Sequence, residues 1–257
     1  MSFSRPVPSR PASPPHPVSL IAACLDLVLP VRCVGCGRAG HALCPACLPA
    51  AGEVRTRWLR GLRVAAAASY DGAVRAAVLG WKERGRGQLA RPLAVLLARS
   101  LGAVPDVRDP PAGSRTVLVP VPPSASARRA RGGDVLARLT VAAGSVHGVR
   151  TVRGALALDR AVRDSVGLGR RDREENLRGA FAARPAPPGL RAVLVDDVVT
   201  TGTTLREAAL ALREQGWPVV GAAVVAETPA PAARAGSARV PLGRVVAVPL
   251  AGHSGPV

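Results

Sequence analysis

Two spacings of apolar residues alternate along most of this chain. Continuous apolar runs as long as buried strands are followed by segments in which apolar residues recur every three or four positions, as in an amphipathic helix. Strands that alternate with helices in this way form a parallel sheet covered by helices on both faces. The pattern therefore predicts an α/β fold, with strands at residues 62–70, 192–199 and 218–227, helices at 71–85, 88–102 and 203–216, and a strand, a basic loop and a helix within 115–144.

Weaker signals mark the remaining segments. Residues 105–114 are rich in Pro and Gly and predict a loop, whereas the apolar run at 152–158 predicts a strand. The charged span 164–176 is dense in Gly, Arg and Asp, and we expect it to be mobile without a ligand. Residues 244–250 predict a further strand, and Pro249 favours an edge position because proline cannot donate to a central ladder.

The length and the terminal segments bound the organisation of the chain. A chain of 257 residues is expected to hold one main domain and a small appendage. Residues 1–18 are rich in Pro and Ser and predict a disordered leader, 19–57 an apolar segment with a cysteine cluster, 58–250 the main domain and 251–257 a tail. There is no apolar run of about 18 residues, so a membrane span is not predicted and the cytoplasm is the simplest location.

The charge balance allows two interpretations. The formal net charge is +18, which favours a polyanionic partner such as nucleic acid or a phosphorylated substrate. The cations are 34 Arg and a single Lys, and the remaining composition is rich in Ala, Gly, Pro and Val, as codon bias in a GC-rich genome would produce. Aromatic residues make up only 2% of the chain, so stacking platforms for single-stranded nucleic acid are scarce.

A compact cluster of cysteines precedes the first predicted strand. Two C-x-x-C pairs, formed by Cys33, Cys36, Cys44 and Cys47, can each turn two thiolates toward one point, which predicts a structural zinc knuckle. Two disulfides or a redox pair are the alternatives, but the chain lacks an export signal and a redox motif needs no second copy. His41 lies between the pairs and could replace one thiolate, although four Cys already complete the ligand set.

The stretch VLVDDVVTTGTT, residues 193–204, carries the strongest candidate chemistry. Asp196 and Asp197 lie at the carboxyl end of a predicted strand, where parallel sheets bind their ligands. The loop Thr200, Thr201, Gly202, Thr203 and Thr204 leads into a helix whose free N–H groups suit a phosphate. Thr204 and Glu207 have the spacing of a capping box. The carboxylates would face the vicinal hydroxyls of a sugar or a divalent cation, so the pattern predicts a ribose 5-phosphate ligand.

These residues resemble a known family. The stretch 193–204 resembles the phosphoribosyl pyrophosphate (PRPP) motif of type I phosphoribosyltransferases. Within that superfamily the chain resembles the ComF family through its cysteine knuckle and through residues 70–85, 118–133 and 159–181. The resemblance implies a type I phosphoribosyltransferase-like sheet. It also implies that Asp196 and Asp197 hold the ribose hydroxyls, that the Thr/Gly loop holds the 5-phosphate, and that residues 167–176 take the place of a mobile hood.

The resemblance also implies a reaction and a biological role. In such transferases Mg²⁺ accompanies PRPP and an acceptor displaces pyrophosphate, and cations aimed at the leaving group would stabilise it. We expect Lys82, Arg128, Arg129 and Arg131 to supply that charge. ComF proteins are linked to competence and DNA uptake. The alternative is therefore a non-catalytic adaptor of the uptake machinery that senses a nucleotide or binds single-stranded DNA beside a helicase.

Three segments of the chain depart from the ComF pattern. The family usually has R-G-F-N-Q where this chain has RGGDV at 131–135, an aromatic residue at the position of Glu83, and Gln at the position of Ser165. These positions would border the acceptor or the pyrophosphate. The ribose phosphate half of the pattern is intact, whereas the acceptor half is altered.

Overall fold

A seven-stranded sheet forms the centre of the molecule. The computed structural model describes residues 31–50, 54–158, 178–229 and 238–240. The spatial order of the strands is β4-β3-β7-β8-β2-β1-β9, and a separate two-stranded sheet pairs β5 with β6. The strands are β1 (Val54–Leu59), β2 (Leu62–Ser69), β3 (Arg115–Pro120), β4 (Arg150–Thr151), β5 (Leu156–Leu158), β6 (Phe181–Ala183), β7 (Leu190–Val199), β8 (Val219–Glu227) and β9 (Ala238–Val240).

Six α-helices accompany these strands in the described part of the chain. The apolar faces predicted from the spacing are buried, as in the last helix, where Leu205, Ala208, Ala209 and Leu212 all point inward. The helices are α1 (Gly72–Glu83), α2 (Ala90–Gly102), α3 (Pro105–Arg108), α4 (Ala125–Ala130), α5 (Val135–Ser145) and α6 (Thr203–Glu214), and a single 3₁₀ turn (Gly87–Leu89) precedes α2.

The sheet is parallel across its centre. Strands β4, β3, β7, β8 and β2 run in one direction, and β1 pairs with β2 in the opposite direction. Strand β7 is central, with Pro120 opposite Val195 on one side and Val199 opposite Glu227 on the other. Helix α2 packs against β2 and β8, α5 against β3 and β7, and α6 against β7 and β8. The predicted α/β fold, a mostly parallel sheet flanked by helices, is therefore confirmed.

The helix ends follow the glycine signals of the sequence. Helix α1 stops at Glu83, and Gly85 follows with φ 62°, a left-handed conformation that glycine adopts without strain. Helix α6 stops at Glu214, and Gly216 follows with φ 80°. The N–H of Trp217 then donates to the carbonyl of Leu212, which closes the last turn.

Several predicted boundaries differ from the structure. Residues 105–114 are not wholly a loop, because α3 occupies the first four of them with Pro105 in its first turn, where proline has no hydrogen bond to lose. The basic loop after β3 contains α4, which Ser124 caps by accepting from the N–H of Ala127 at 3.2 Å. Strands β1, β4, β6 and β9 were not predicted. Residues 159–177 and 241–257 lie outside the described residues, and with them the predicted hood and the predicted strand at 244–250.

The cysteine knuckle, residues 31–50, packs on the main domain. Cys33, Ala42, Leu43 and Cys44 are buried in the same apolar core as the sheet. Strand β1 crosses the predicted division between residues 57 and 58, so knuckle and sheet share one hydrophobic interior. In the described part of the chain no helix has the length and apolar character that crossing a bilayer requires.

Candidate active site

Strand β7 presents two acidic residues at its carboxyl end. The strand continues to Val199, so Asp196 and Asp197 lie inside the hydrogen-bonded sheet rather than in a loop after it. The N–H of Asp197 donates to Asp196 Oδ1 at 2.8 Å, and the N–H of Val198 donates to Asp197 Oδ1, also at 2.8 Å. Each side chain is thereby held by the backbone of the next residue. Asp197 is almost fully buried, with 4% of its surface exposed.

A cavity of about 210 Å³ opens beside these acids. Its wall is formed by segments far apart in sequence: the last turn of α1, the loop between β3 and α5, the end of β7 and the first turn of α6. It brings together five residues predicted from the sequence, which are Lys82, Arg131, Asp196, Asp197 and Thr204. The roles given to these residues stay predictions, but the fold places all five around one space.

The acids and Lys82 form an electrostatically unbalanced group. Lys82 Nζ forms an ion pair with Asp197 Oδ2, and the side chain of Lys82 is 28% exposed. Burial and the negative charge of Asp197 raise the pKa of Asp196 to about 8, although Lys82 acts in the opposite direction. Lys82 thus faces two neighbouring carboxyl groups, and burial together with the charge of Asp197 favours the neutral form of Asp196. A bound cation or a hydrogen-bond donor would favour the charged form.

The loop after β7 begins a long helix without a side-chain cap. Gly202 is the N-cap of α6 in the left-handed conformation, with φ 77°, and among the residues that the structure describes no side chain caps the first turn. Thr201 Oγ1 and Thr203 Oγ1 lie 3.0 Å apart, and Thr200 is exposed. A helix start of this kind offers N–H groups and partial positive charge to an anion.

One local interpretation needs correction here. The capping box of Thr204 and Glu207 is wrong, because the N-cap of α6 is Gly202, two residues before Thr204. Glu207 is buried and instead accepts from the N–H of Gly179 at 3.3 Å and pairs with Arg206 at 2.9 Å. A Cβ on Gly202 would lie 3.1 Å from Leu59 Cδ1. Glycine is therefore required there by its positive φ and by contact with β1.

The predicted arginines divide between the cavity and the surface. Arg131 lines the cavity and is partly buried. Arg128 and Arg129 lie on α4, are exposed and do not line the cavity. Arg131, which follows the last residue of α4, therefore lines the cavity, whereas the two arginines within the helix lie at the surface.

The sequence interpretation missed part of the cavity wall. Gly133 and Asp134 line it, together with Val121, Pro122, Pro123, Val135 and Leu136. Asp134 Oδ1 accepts from the N–H of Ala137 at 2.9 Å and so caps α5. Gly133 has φ 136°, which a side chain would oppose. The two adjacent glycines at 132 and 133 were the signal that the backbone bends sharply here.

The four cysteines of the knuckle meet at a single point. Their sulfur atoms all lie within 4.8 Å of one another, and Cys36 Sγ is 3.6 Å from Cys44 Sγ. Tetrahedral zinc with Zn–S bonds of about 2.3 Å separates its sulfurs by about 3.8 Å, so the set is compatible with that ion. All four thiols are free. His41 is exposed and is not part of the cluster.

Hydrogen bonding prepares one of these sulfurs for a cation. Burial alone would raise the pKa of Cys33, but N–H groups of Cys44, Cys36 and Gly35 outweigh it and lower the pKa to about 6. The N–H of Cys44 donates to Cys33 Sγ at 3.3 Å. Hydrogen bonds with Cys36 and Cys44 raise the pKa of Cys47 to about 12. Without a cation the four thiols cannot all ionise, so the donor set fits a metal that binds thiolates.

Comparison with known proteins agrees with this geometry. Residues 134–237 match the family described as "Phosphoribosyl transferase domain". This range includes Asp196, Asp197, the Thr/Gly loop and α6. A stretch of 47 residues is 53% identical to the orotate phosphoribosyltransferase of Methylobacterium sp. (strain 4-46) and covers 18% of this chain. The chain matches only 22% of the length of that curated relative. These similarities support a phosphoribosyltransferase domain of the type I superfamily in this part of the chain.

Proposed function

We propose that the cavity binds PRPP or a related ribose 5-phosphate ligand and that the protein transfers the phosphoribosyl group to an acceptor. One observation carries the proposal: a single cavity joins two acids, two cations and the start of α6. The match of residues 134–237 to a phosphoribosyl transferase domain supports it. The resemblance to ComF proteins and its link to DNA uptake belong to the same proposal.

The ribose phosphate half of the ligand would occupy the β7–α6 side. Asp196 and Asp197 would accept hydrogen bonds from the 2- and 3-hydroxyls of ribose, which gain strength because the acceptors are charged. The 5-phosphate would lie at the start of α6 and accept from backbone N–H groups and from the hydroxyls of residues 200–204. The N-cap Gly202 supports this arrangement, because it has no side chain to occupy the first-turn N–H groups and no side chain in the described part of the chain caps them.

The pyrophosphate half would face Lys82 and Arg131. Lys82 neutralises Asp197 in the structure described here, and a bound ligand would offer its amino group a second anionic partner. Asp196 and Asp197 are the residues that would hold Mg²⁺ beside the ligand, and the cation would supply charge neutralisation for the leaving pyrophosphate. In the transfer, the bond from C1 of ribose to the pyrophosphate oxygen breaks while the acceptor forms a new bond to C1.

Arg131 and Arg129 offer a matched test of this site. PRPP with Mg²⁺ is titrated by calorimetry into the parent protein and into Arg131→Ala and Arg129→Ala, and pyrophosphate release is then screened with candidate acceptors. We expect Arg131→Ala to weaken PRPP about tenfold or more, because a charge-assisted contact contributes roughly 1.5–3 kcal/mol. Arg129→Ala should bind like the parent. Failure of the parent to bind PRPP at millimolar concentration would refute the proposal.

A second candidate function is a non-catalytic adaptor in DNA uptake. Arg128 and Arg129 are exposed on α4, beside the loop that contributes Arg131 to the cavity, so they could contact a strand of DNA outside it. The affinity for DNA would fall steeply as the salt concentration rises, because salt cations compete with the arginines for the phosphates. Fluorescence anisotropy with a single-stranded oligonucleotide at several salt concentrations tests it. The adaptor is favoured if Arg128→Ala and Arg129→Ala lower the salt slope while PRPP releases no pyrophosphate.

A further inference from the structure

The knuckle touches helix α1 near both of its ends. At the start of the helix, a Cβ on Gly35 would lie 2.7 Å from Ala73 Cβ, so backbone and methyl group are in close contact. Two turns later, a Cβ on Gly80 would lie 4.0 Å from Val34 Cγ1 and 2.8 Å from Leu89 Cδ1. The absence of a side chain at Gly35 and Gly80 is what allows the knuckle and the 3₁₀ turn to lie this close to α1.

Hydrogen bonds extend this contact beyond the helix. Arg86 Nη2, just after α1, donates to the backbone carbonyl of Arg32 at 3.0 Å. Arg99 Nη1, near the end of α2, donates to the carbonyl of Pro49 at 2.6 Å. Both ends of the knuckle are therefore hydrogen-bonded to residues of the helical layer, and one of these residues, Arg86, lies just after α1.

Lys82 lies between two of these contacts. It is two residues after Gly80 and four before Arg86, in the last turn of α1, and its amino group reaches Asp197 in the cavity. A lysine side chain is long and flexible, so the direction of its amino group depends on where the backbone of the last turn is held. In this structure Val34 lies beside that backbone, where Gly80 leaves room for it, and the N–H of Arg86 donates to the carbonyl of Gly80 at 3.1 Å.

We infer that the knuckle is a positioning element for Lys82 and that its metal-binding state is communicated to the cavity. Val34 and Gly35 lie between Cys33 and Cys36, the first pair of thiols, so any change in the metal site moves the residues that contact α1. The four-thiol donor set fits a zinc ion, as described above. The inference does not depend on which ligand the cavity takes, because it concerns the placement of the amino group alone.

The composition of the chain supplies a direct reporter of that placement. Lys82 is the only lysine among 257 residues, so an amine-specific reagent labels this side chain and the N-terminal amino group and nothing else. Labelling requires the amino group of Lys82 to leave its carboxylate partner. The rate at Lys82, measured by peptide mass spectrometry and divided by the N-terminal rate, therefore reports the ion pair with Asp197.

Two valines give a matched comparison. Val34 and Val149 are both partly buried and pack against the core, but only Val34 contacts α1 at Gly80. We expect Val34→Ala and Arg86→Ala to raise the labelling rate of Lys82 about fivefold, as expected for loss of an ion pair of partly exposed groups. Val149→Ala and Arg38→Ala, the latter at an exposed site of the same knuckle, should leave the rate unchanged.

Metal removal completes the test. Treatment with a chelator should raise the labelling rate in the parent protein as much as Val34→Ala does, and zinc should restore it. Equal labelling rates in the parent, chelated, Val34→Ala and Arg86→Ala proteins would overturn the inference, and so would an equal increase in Val34→Ala and Val149→Ala. Val34→Ala leaves all four thiols in place, so the result does not depend on whether a cysteine variant folds. No PRPP is used, which separates this outcome from the test of the proposed function.

Discussion

The cysteine cluster and the Asp196–Asp197 pair both gather groups that repel one another when ionised, yet they differ in how they are closed. The four sulfurs come from one short segment and lie close together, and Cys33 and Cys44 are buried whereas Cys36 is exposed. The two carboxyl groups face a cavity whose wall is formed by distant segments. A closed ligand set is typical of a structural metal, whereas an open one lets ligands enter and leave. From this difference we expect the first cluster to contribute to stability and the second to binding.

Disruption of the cysteine cluster should have the largest effect, a loss of thermal stability. Cys44→Ser removes a buried ligand, and we expect it to lose the metal and to lower the melting temperature by roughly 10 °C or more, since structural zinc contributes directly to folding. Metal analysis and calorimetry on protein purified without chelator measure both quantities. His41→Ala is the control and should retain about one zinc per chain. Parent protein that is free of metal and equally stable would contradict the assignment.

Disruption of the open pair should affect binding instead. The variant with Asp196→Asn and Asp197→Asn is expected to weaken PRPP about a hundredfold, because two charge-assisted contacts of roughly 1.5–3 kcal/mol each are lost. Inorganic phosphate or sulfate should bind as in the parent, because the start of α6 is unchanged. Calorimetric titration of each ligand gives the comparison. Unaltered PRPP affinity would mean that the acids do not contact the ribose.

The raised pKa of Asp196 should make PRPP binding depend on pH. Burial and Asp197 raise this pKa to about 8, so the free site holds a proton that a complex favouring the carboxylate must release. The dissociation constant should therefore fall as pH rises from about 6.5 to 8.5, by at most about tenfold per pH unit. Asp196→Asn should flatten this profile. A profile of equal slope in both proteins would assign the proton to another group.

The same pKa predicts a smaller effect on stability. Because the pKa of Asp196 lies near 8 in the folded protein and near its ordinary value of 3.8 in the unfolded chain, the folded state binds more protons between these limits. The contribution of Asp196 to the free energy of unfolding is thus fully present below pH 3.8 and is lost as the pH rises through about 8. Urea unfolding measures the free energy of unfolding of Asp196→Asn and of the parent. The value for the variant minus the value for the parent should be larger at pH 9 than at pH 5. A difference that does not change with pH would contradict the shift.

Sequence reasoning succeeded where neighbouring residues decide the structure and failed where distant ones do. Strand β7, helix α6 and the knuckle follow from local patterns, and the carboxyl-edge rule for parallel sheets brought the acids toward one side. Strand β1 was missed because its alternating arginines look solvated. In the structure Arg57 Nε pairs at 2.7 Å with Glu227 of β8, a partner that is distant in sequence although its strand lies only two positions away in the sheet. The capping box failed for a related reason, since the partner of Glu207 is the distant Gly179.

The placement of Asp196 and Asp197 within a continuous strand limits how the chain can change over evolutionary time. Side chains alternate between the two faces of a strand, so insertion or deletion of one residue in β7 before the acids would exchange their faces and separate Asp197 from Lys82. Loops of the molecule can gain or lose residues without this penalty. Natural variation in length should therefore be found on either side of β7 and not between Leu190 and Val199.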